Sequence, residues 1–132
     1  MPATIDKLTA ADIGFLVAEL PSGPGVPPLV CLHGIGGDAT SFAAQIDGLA
    51  GPGRRVLSWD MPGYGSSAPL SKMNFGTLCD RLCAALGALG LDQVVLAGQS
   101  IGGMIAQEMA RTHQHRLASM VLMITSPGPG TG

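Results

Sequence analysis

Three times along this chain a short, unbroken apolar run gives way to a glycine-rich loop and then to a stretch with helical spacing. LVCL (29–32) leads into HGIGG (33–37) and then TSFAAQIDGLA (40–50), where Phe42, Ile46 and Leu49 recur at spacings of 4 and 3. RVLSW (55–59) leads into DMPGYGSS (60–67), and from Phe75 onward Leu78, Leu82, Leu86 and Leu89 form a second helical stripe that stops near Gly90. QVVLA (93–97) leads into GQSIGG (98–103) and MIAQEMARTH (104–113), and SMVLMI (119–124) is a fourth apolar run. Strands that are apolar without alternation are buried on both faces, and strands alternating with helices make right-handed crossovers. The predicted fold class is α/β, a mostly parallel sheet with helices on both faces. Ahead of this, DIGFLVAEL (12–20) alternates and predicts a half-buried strand, which the turn PSGPGVPP (21–28) ends. In such sheets ligands sit beyond the C-terminal ends of the strands, and the loops after Leu32, Trp59 and Ala97 all lie at that edge.

Composition narrows the function classes. A length of 132 residues allows one domain, and 46% hydrophobic against 12% charged residues gives ample material for a core. Nine acidic and seven basic residues leave a net charge of −2, so no basic face is expected to bind nucleic acid or an anionic membrane. Three cysteines are an odd number with no zinc-type spacing, so neither a disulfide framework nor a metal site is predicted. Cys79 and Cys83, four apart, share one helix face and read as core. The opening MPATIDKLTA carries Asp6 and Lys7 where a secretion signal needs apolar residues. No run approaches the roughly 18 apolar residues of a membrane span. The expectation is a cytoplasmic protein without cofactor, in which residues 1–126 form the N-terminal part of a domain and residues 127–132 a flexible Pro/Gly tail.

Gly98-Gln99-Ser100-Ile101-Gly102 is a G-x-S-x-G pattern. With 20 glycines and 9 serines, chance alone supplies about 0.2 such matches, above what ordinary glycine usage would give. Its setting adds what the pattern lacks: it follows a buried strand directly and opens a helix directly, where a serine is forced onto a sharp corner. The helix N-terminus beneath Ser100 favours negative charge. Acyl transfer develops such charge on the substrate oxygen, and two backbone N–H donors aimed at it lower the barrier. Ile101, after the serine, and Ile35, in the loop His33-Gly34-Ile35-Gly36-Gly37, are the candidate donors. His33 reads as a residue that pins this loop through backbone hydrogen bonds, in preference to a catalytic one. Gly34, Gly36, Gly98 and Gly102 shape the two turns. Gly63-Tyr64-Gly65-Ser66-Ser67-Ala68 fits a dinucleotide-binding pattern, but Met61-Pro62 precedes it and Pro69 follows where a phosphate-binding helix should begin.

HGIGG, WDMPGYGSS and GQSIGG, each after a buried strand and in this order, resemble the α/β-hydrolase superfamily, nearest to its lactone, ester and carbon–carbon bond hydrolases. The resemblance spans about Leu29 to Ile124. It implies Ser100 as nucleophile, Ile35 and Ile101 as oxyanion donors, a structural turn from Asp60 to Gly65, and a small-molecule acyl substrate. It also implies a sheet in which 55–59 flanks 29–32, followed by 93–97 and 119–124. Met61, Met104 and Tyr64 lie near these loops, as core packing first and as liners of an apolar acyl site second.

A serine hydroxyl needs a base, and the base an acid to orient it, in the order Ser, Asp or Glu, His. After Ser100 only Glu108, His113 and His115 are available, and the histidines fall about 13 residues on, roughly 20 Å along a helix. Arg111 and Arg116 beside them read as complements of the helix dipole. The expectation is a truncated α/β-hydrolase core lacking its triad acid and histidine: a serine hydrolase at family level or, in the alternative, an incomplete fragment or pocket-bearing binding module that needs a partner. SMVLMI is then an unpaired edge strand, expected to self-associate or to await a missing C-terminal half.

Overall fold

The computed structural model describes residues 4–19, 27–42 and 55–123. Six strands form one sheet: β1 (Thr4–Ala10), β2 (Ile13–Glu19), β3 (Leu29–Leu32), β4 (Val56–Trp59), β5 (Val94–Gln99) and β6 (Leu117–Met123). Their order across the sheet is β1-β2-β4-β3-β5-β6. The pairs β3–β4, β3–β5 and β5–β6 are parallel, as the crossover rhythm requires, while β1–β2 and β2–β4 are antiparallel. The order of β4, β3, β5 and β6 is the one the resemblance implies.

Among the described residues two α-helices follow strands, α1 (Phe75–Ala88) and α2 (Ile101–Thr112). Helix α1 starts where the leucine stripe starts because Asn74 caps it: its side chain accepts the Thr77 N–H at 2.8 Å, and the Thr77 hydroxyl accepts the Asn74 N–H at 3.0 Å. Leu78, Leu82, Ala85 and Leu86 of α1 and Ile105, Ala106 and Met109 of α2 pack against Val30, Leu32, Leu57, Trp59, Val94 and Leu96 on one face of the sheet. On the opposite face Leu29, Cys31, Val56 and Ala97 pack with Phe42, from a short 3-10 turn at Ala39–Phe42. The helix expected over 40–50 and the tail 127–132 fall, beyond Phe42 and in full respectively, outside the described residues.

Three differences from expectation have physical reasons. β2 is buried on both faces rather than one, because it lies between β1 and β4 and its alternate residues enter both core clusters. β1 carries no sequence signal, since Thr4–Ala10 does not alternate cleanly and its hairpin partner is reached through Ala11 and Asp12, both at positive φ (50° and 64°). Such a two-residue turn ordinarily announces itself with Asn-Gly. β6 is apolar yet exposed along most of its length, and among the described residues it pairs with β5 alone. No helix among the described residues is long and apolar enough to cross a membrane.

Candidate active site

β5 ends at Gln99 and α2 begins at Ile101, so Ser100 alone makes the corner. Its backbone stands at φ 55° and ψ −120°, a left-handed conformation that costs a side-chain-bearing residue about 1–3 kcal/mol. Two glycines hold it there. A Cβ on Gly102 would stand 2.1 Å from the Leu32 carbonyl oxygen, and one on Gly98 would stand 2.4 Å from the Gly102 carbonyl oxygen. Backbone therefore meets backbone between the end of β3 and the start of α2, and any larger residue would push the corner apart. Ser100 is exposed, makes no side-chain cap bond, and sits at the head of α2, where the Met104 N–H donates to the Ser100 carbonyl at 3.1 Å and the amides of residues 101–103 precede the first intrahelical acceptor. Ile101 carries one of those amides.

The loop after β3 passes beside the serine. A Cβ on Gly34 would lie 3.1 Å from the Ser100 Cβ and 3.7 Å from its Oγ. The fully buried His33 ring accepts the Met61 N–H on Nε2 at 3.0 Å. That acceptance fixes the tautomer: the proton is on Nδ1, which donates to the Gly34 carbonyl at 2.8 Å. The same carbonyl accepts the Gly37 N–H at 3.0 Å, closing a turn that Gly36 permits with φ 84°. Two donors on one carbonyl fix the plane of the Gly34–Ile35 peptide. Across a trans peptide the N–H points away from the C=O, so the direction of the Ile35 N–H is fixed as well.

The loop after β4 braces the loop after β3. The buried Asp60 carboxylate accepts the Ala39 N–H at 2.8 Å on Oδ1, and the Ser66 N–H (3.0 Å) and hydroxyl (2.9 Å) on Oδ2. Gly65 turns against that carboxylate at φ 49°, where a Cβ would overlap it at 2.5 Å. The Ser67 hydroxyl donates to the Asp60 carbonyl and accepts the Gly14 N–H, fastening the turn to β2.

A cavity of about 390 Å³ opens beside Ile101, lined by Met61, Met73, Asn74, Phe75 and Leu78. Of the three residues that sequence offered for an apolar site, Met61 lines this cavity. Tyr64 instead packs against the His33 ring, centroids 5.3 Å apart, and joins the core, while Met104 lies in the first turn of α2. Met73 and Phe75 were not candidates for the site, because Phe75 reads as the first residue of the helical stripe and Met73 lies just ahead of it.

None of the three histidines is poised to take a proton from Ser100. His33 spends both ring nitrogens on backbone. His113 caps the far end of α2, with its Nε2 3.5 Å from Asp80, and His115 lies just beyond in a 3-10 turn. Glu108 is held by Arg111 through two 2.7 Å bonds, the contact that keeps its carboxyl below the usual range.

A strand–serine–helix corner flanked by a glycine loop is a recurrent arrangement, and comparison with known proteins agrees. The family model of the alpha/beta hydrolase fold matches residues 27–131, and the chain belongs to this family. Among curated relatives it is 38% identical over 117 residues to 2-hydroxy-6-oxononadienedioate/2-hydroxy-6-oxononatrienedioate hydrolase of Klebsiella pneumoniae, covering 83% of this chain and 38% of the relative. It is also 38% identical over 105 residues to bifunctional epoxide hydrolase 2 of Sus scrofa, covering 76% of this chain and 19% of that one. Among solved structures, a thermophilic esterase from Thermogutta terrifontis superposes with a TM-score of 0.76 at 29% identity, over 98% of this chain and 48% of the esterase. The chain thus spans less than half the length of each of these relatives.

Proposed function

We propose that the protein is a serine hydrolase acting on an ester, lactone or similar acyl substrate, with Ser100 as nucleophile and the Ile35 and Ile101 amides as oxyanion donors. One observation carries the reading: Ser100 is exposed at a strained strand–helix corner, with the Gly34 loop against its side chain. Strain at an exposed, reactive side chain belongs to function more than to packing. In the proposed reaction the Ser100 Oγ attacks the acyl carbon as its proton leaves to a base. The carbonyl electrons move onto the oxygen facing the two amides, and their return expels the alcohol, which takes up the proton. The base and the acid that orients it are, in this reading, not among the residues of this chain. The esterase likeness supports an ester substrate, whereas the curated relatives are named for an oxononadienedioate and for epoxides.

The commitment of His33 to backbone favours a second reading, a pocket-bearing binding module without turnover. A fluorophosphonate probe separates the two. The hydrolase reading expects covalent labelling at Ser100, lost in Ser100→Ala. The binding-module reading expects no labelling even when the protein is supplied with the complementary C-terminal half of the fold. Without a base the donors and binding alone are worth about 10³-fold over water, so labelling is followed over hours.

A further inference from the structure

Resting on that reading, we infer that the group recognised beside Ser100 is an uncharged, flexible hydrocarbon chain, held in the cavity between Ile101 and the head of α1. Its lining converges from three separate stretches of sequence: Met61 after β4, Met73 to Leu78 at the start of α1, and Ile101 one residue past the serine. No charged side chain lines it among the described residues. The single polar one, Asn74, already has its Oδ1 bonded to the Thr77 N–H as the helix cap. A carboxylate entering here would exchange its full hydration for, at most, the Asn74 amide NH2 among the lining side chains. A hydrocarbon loses nothing, and gains about fourfold in association for each methylene buried, the equivalent of about 0.8 kcal/mol. At about 390 Å³ the space is within the range of small-molecule sites and exceeds what an acetyl group needs. Two of the six lining residues are methionines, whose unbranched side chains adapt to chains of different length. Met73, 48% exposed, stands at the mouth.

The test compares rates of Ser100 modification by fluorophosphonates that differ only in one arm: ethyl, butyl, octyl, and heptyl ending in a carboxylate. The expected result is a rise of about fourfold per added methylene through butyl, continuing towards octyl, with the carboxylate probe at least tenfold behind octyl. Met73→Lys, at an exposed position outside the reaction machinery, should narrow that gap by raising the carboxylate probe's rate while melting stays unchanged. Equal rates for all four arms, with Ser100 still labelled, overturn the hydrocarbon site and leave the hydrolase reading standing. If no probe labels Ser100 even when the complementary C-terminal half is supplied, the hydrolase reading fails, and binding of n-octanamide to the unsubstituted protein decides the cavity alone. Saturable binding weakened at least tenfold by Met73→Glu supports it, and binding indifferent to that change overturns it.

Discussion

The Met61 N–H donates to His33 Nε2 at 3.0 Å, and this bond joins two loops that border Ser100. It also sets which nitrogen of His33 carries the proton, and through it the orientation of the Gly34–Ile35 peptide. His33→Phe keeps the volume of the ring but leaves a buried amide without an acceptor, which costs about 1–3 kcal/mol. If the Ile35 amide turns with its peptide, the proposed reaction loses one of its two oxyanion donors, a loss of about 10²–10³ in rate elsewhere. Urea denaturation and fluorophosphonate kinetics on the same variant measure the two effects. A drop in stability with an unchanged labelling rate would remove Ile35 from the mechanism.

The backbone of Ser100 predicts an inversion between two small substitutions. Ser100→Ala and Ser100→Gly both abolish labelling, but only glycine is at ease at φ 55° and ψ −120°. Relief of about 1–3 kcal/mol of strain, set against about 0.4–1 kcal/mol of extra freedom in the unfolded chain, leaves the glycine variant the more stable of the two by about 1 kcal/mol. Paired thermal melts decide it. An alanine variant as stable as the glycine one would mean that the corner is not strained.

The parallel half of the sheet was legible in the sequence because each strand is an apolar run that leads into a glycine-rich loop, and α1 because its leucines keep one stripe from Phe75 onward. β1 was not, since its pairing is specified by neighbours and by a turn of Ala11 and Asp12 that the chain closes without glycine. Ser100, the loop at His33 and the glycines around them could be named from the G-x-S-x-G pattern together with its setting, each loop following a buried apolar run. The closeness of Gly34 to Ser100 could not, because it depends on two parallel strands, β3 and β5, lying side by side in register. The cavity was hidden for a related reason: its walls come from stretches forty residues apart, and hydrophobicity there looks the same as core.

Glycines at two helical positions should respond in opposite directions to the same methyl group. A Cβ on Gly102 would overlap the Leu32 carbonyl at 2.1 Å, backbone against backbone, so Gly102→Ala is expected to unfold the protein or cost more than about 3 kcal/mol. A Cβ on Gly87, near the end of α1, meets only the Arg116 guanidinium at 3.6 Å, an ordinary contact. Gly87→Ala therefore gains the helix propensity of alanine, about 1 kcal/mol. Circular dichroism melts of the two variants give the sign of each, and a tolerated Gly102→Ala would contradict the tight approach of β3 and α2.

β6 ends the sheet with an edge that carries neither charge nor proline, and Met120, Val121 and Leu122 on it are 38%, 49% and 40% exposed. Natural edges are usually guarded by one or the other. Antiparallel pairing of two copies about Val121 would set Met120 opposite Leu122 and keep like faces of the two sheets together. Sedimentation velocity across the micromolar range is expected to show association that grows with concentration and is reduced by Val121→Lys. A single monomeric boundary at every concentration would show that the edge is protected.

Burial pushes the Cys31 and Cys79 thiols from an ordinary 9.0 up to about 12, and Cys83, half-buried, in the same direction. Cys79 also donates to the Ile105 carbonyl at 3.7 Å. The reactive form of cysteine is the thiolate, so at pH 8 Cys31 and Cys79 should resist a disulfide reagent until the chain unfolds, with Cys83 reacting first. Linkage gives the companion effect. Between pH 9 and 12 the folded chain keeps protons that the unfolded chain has released, so stability holds below pH 9 and falls as pH rises towards 12. Removing one of these groups with Cys31→Ala should flatten that decline relative to the unsubstituted protein, whatever other groups titrate there. Denaturant midpoints at pH 8, 9.5 and 10.5 compare the two slopes, and parallel slopes would mean that Cys31 is reached by water in the folded chain.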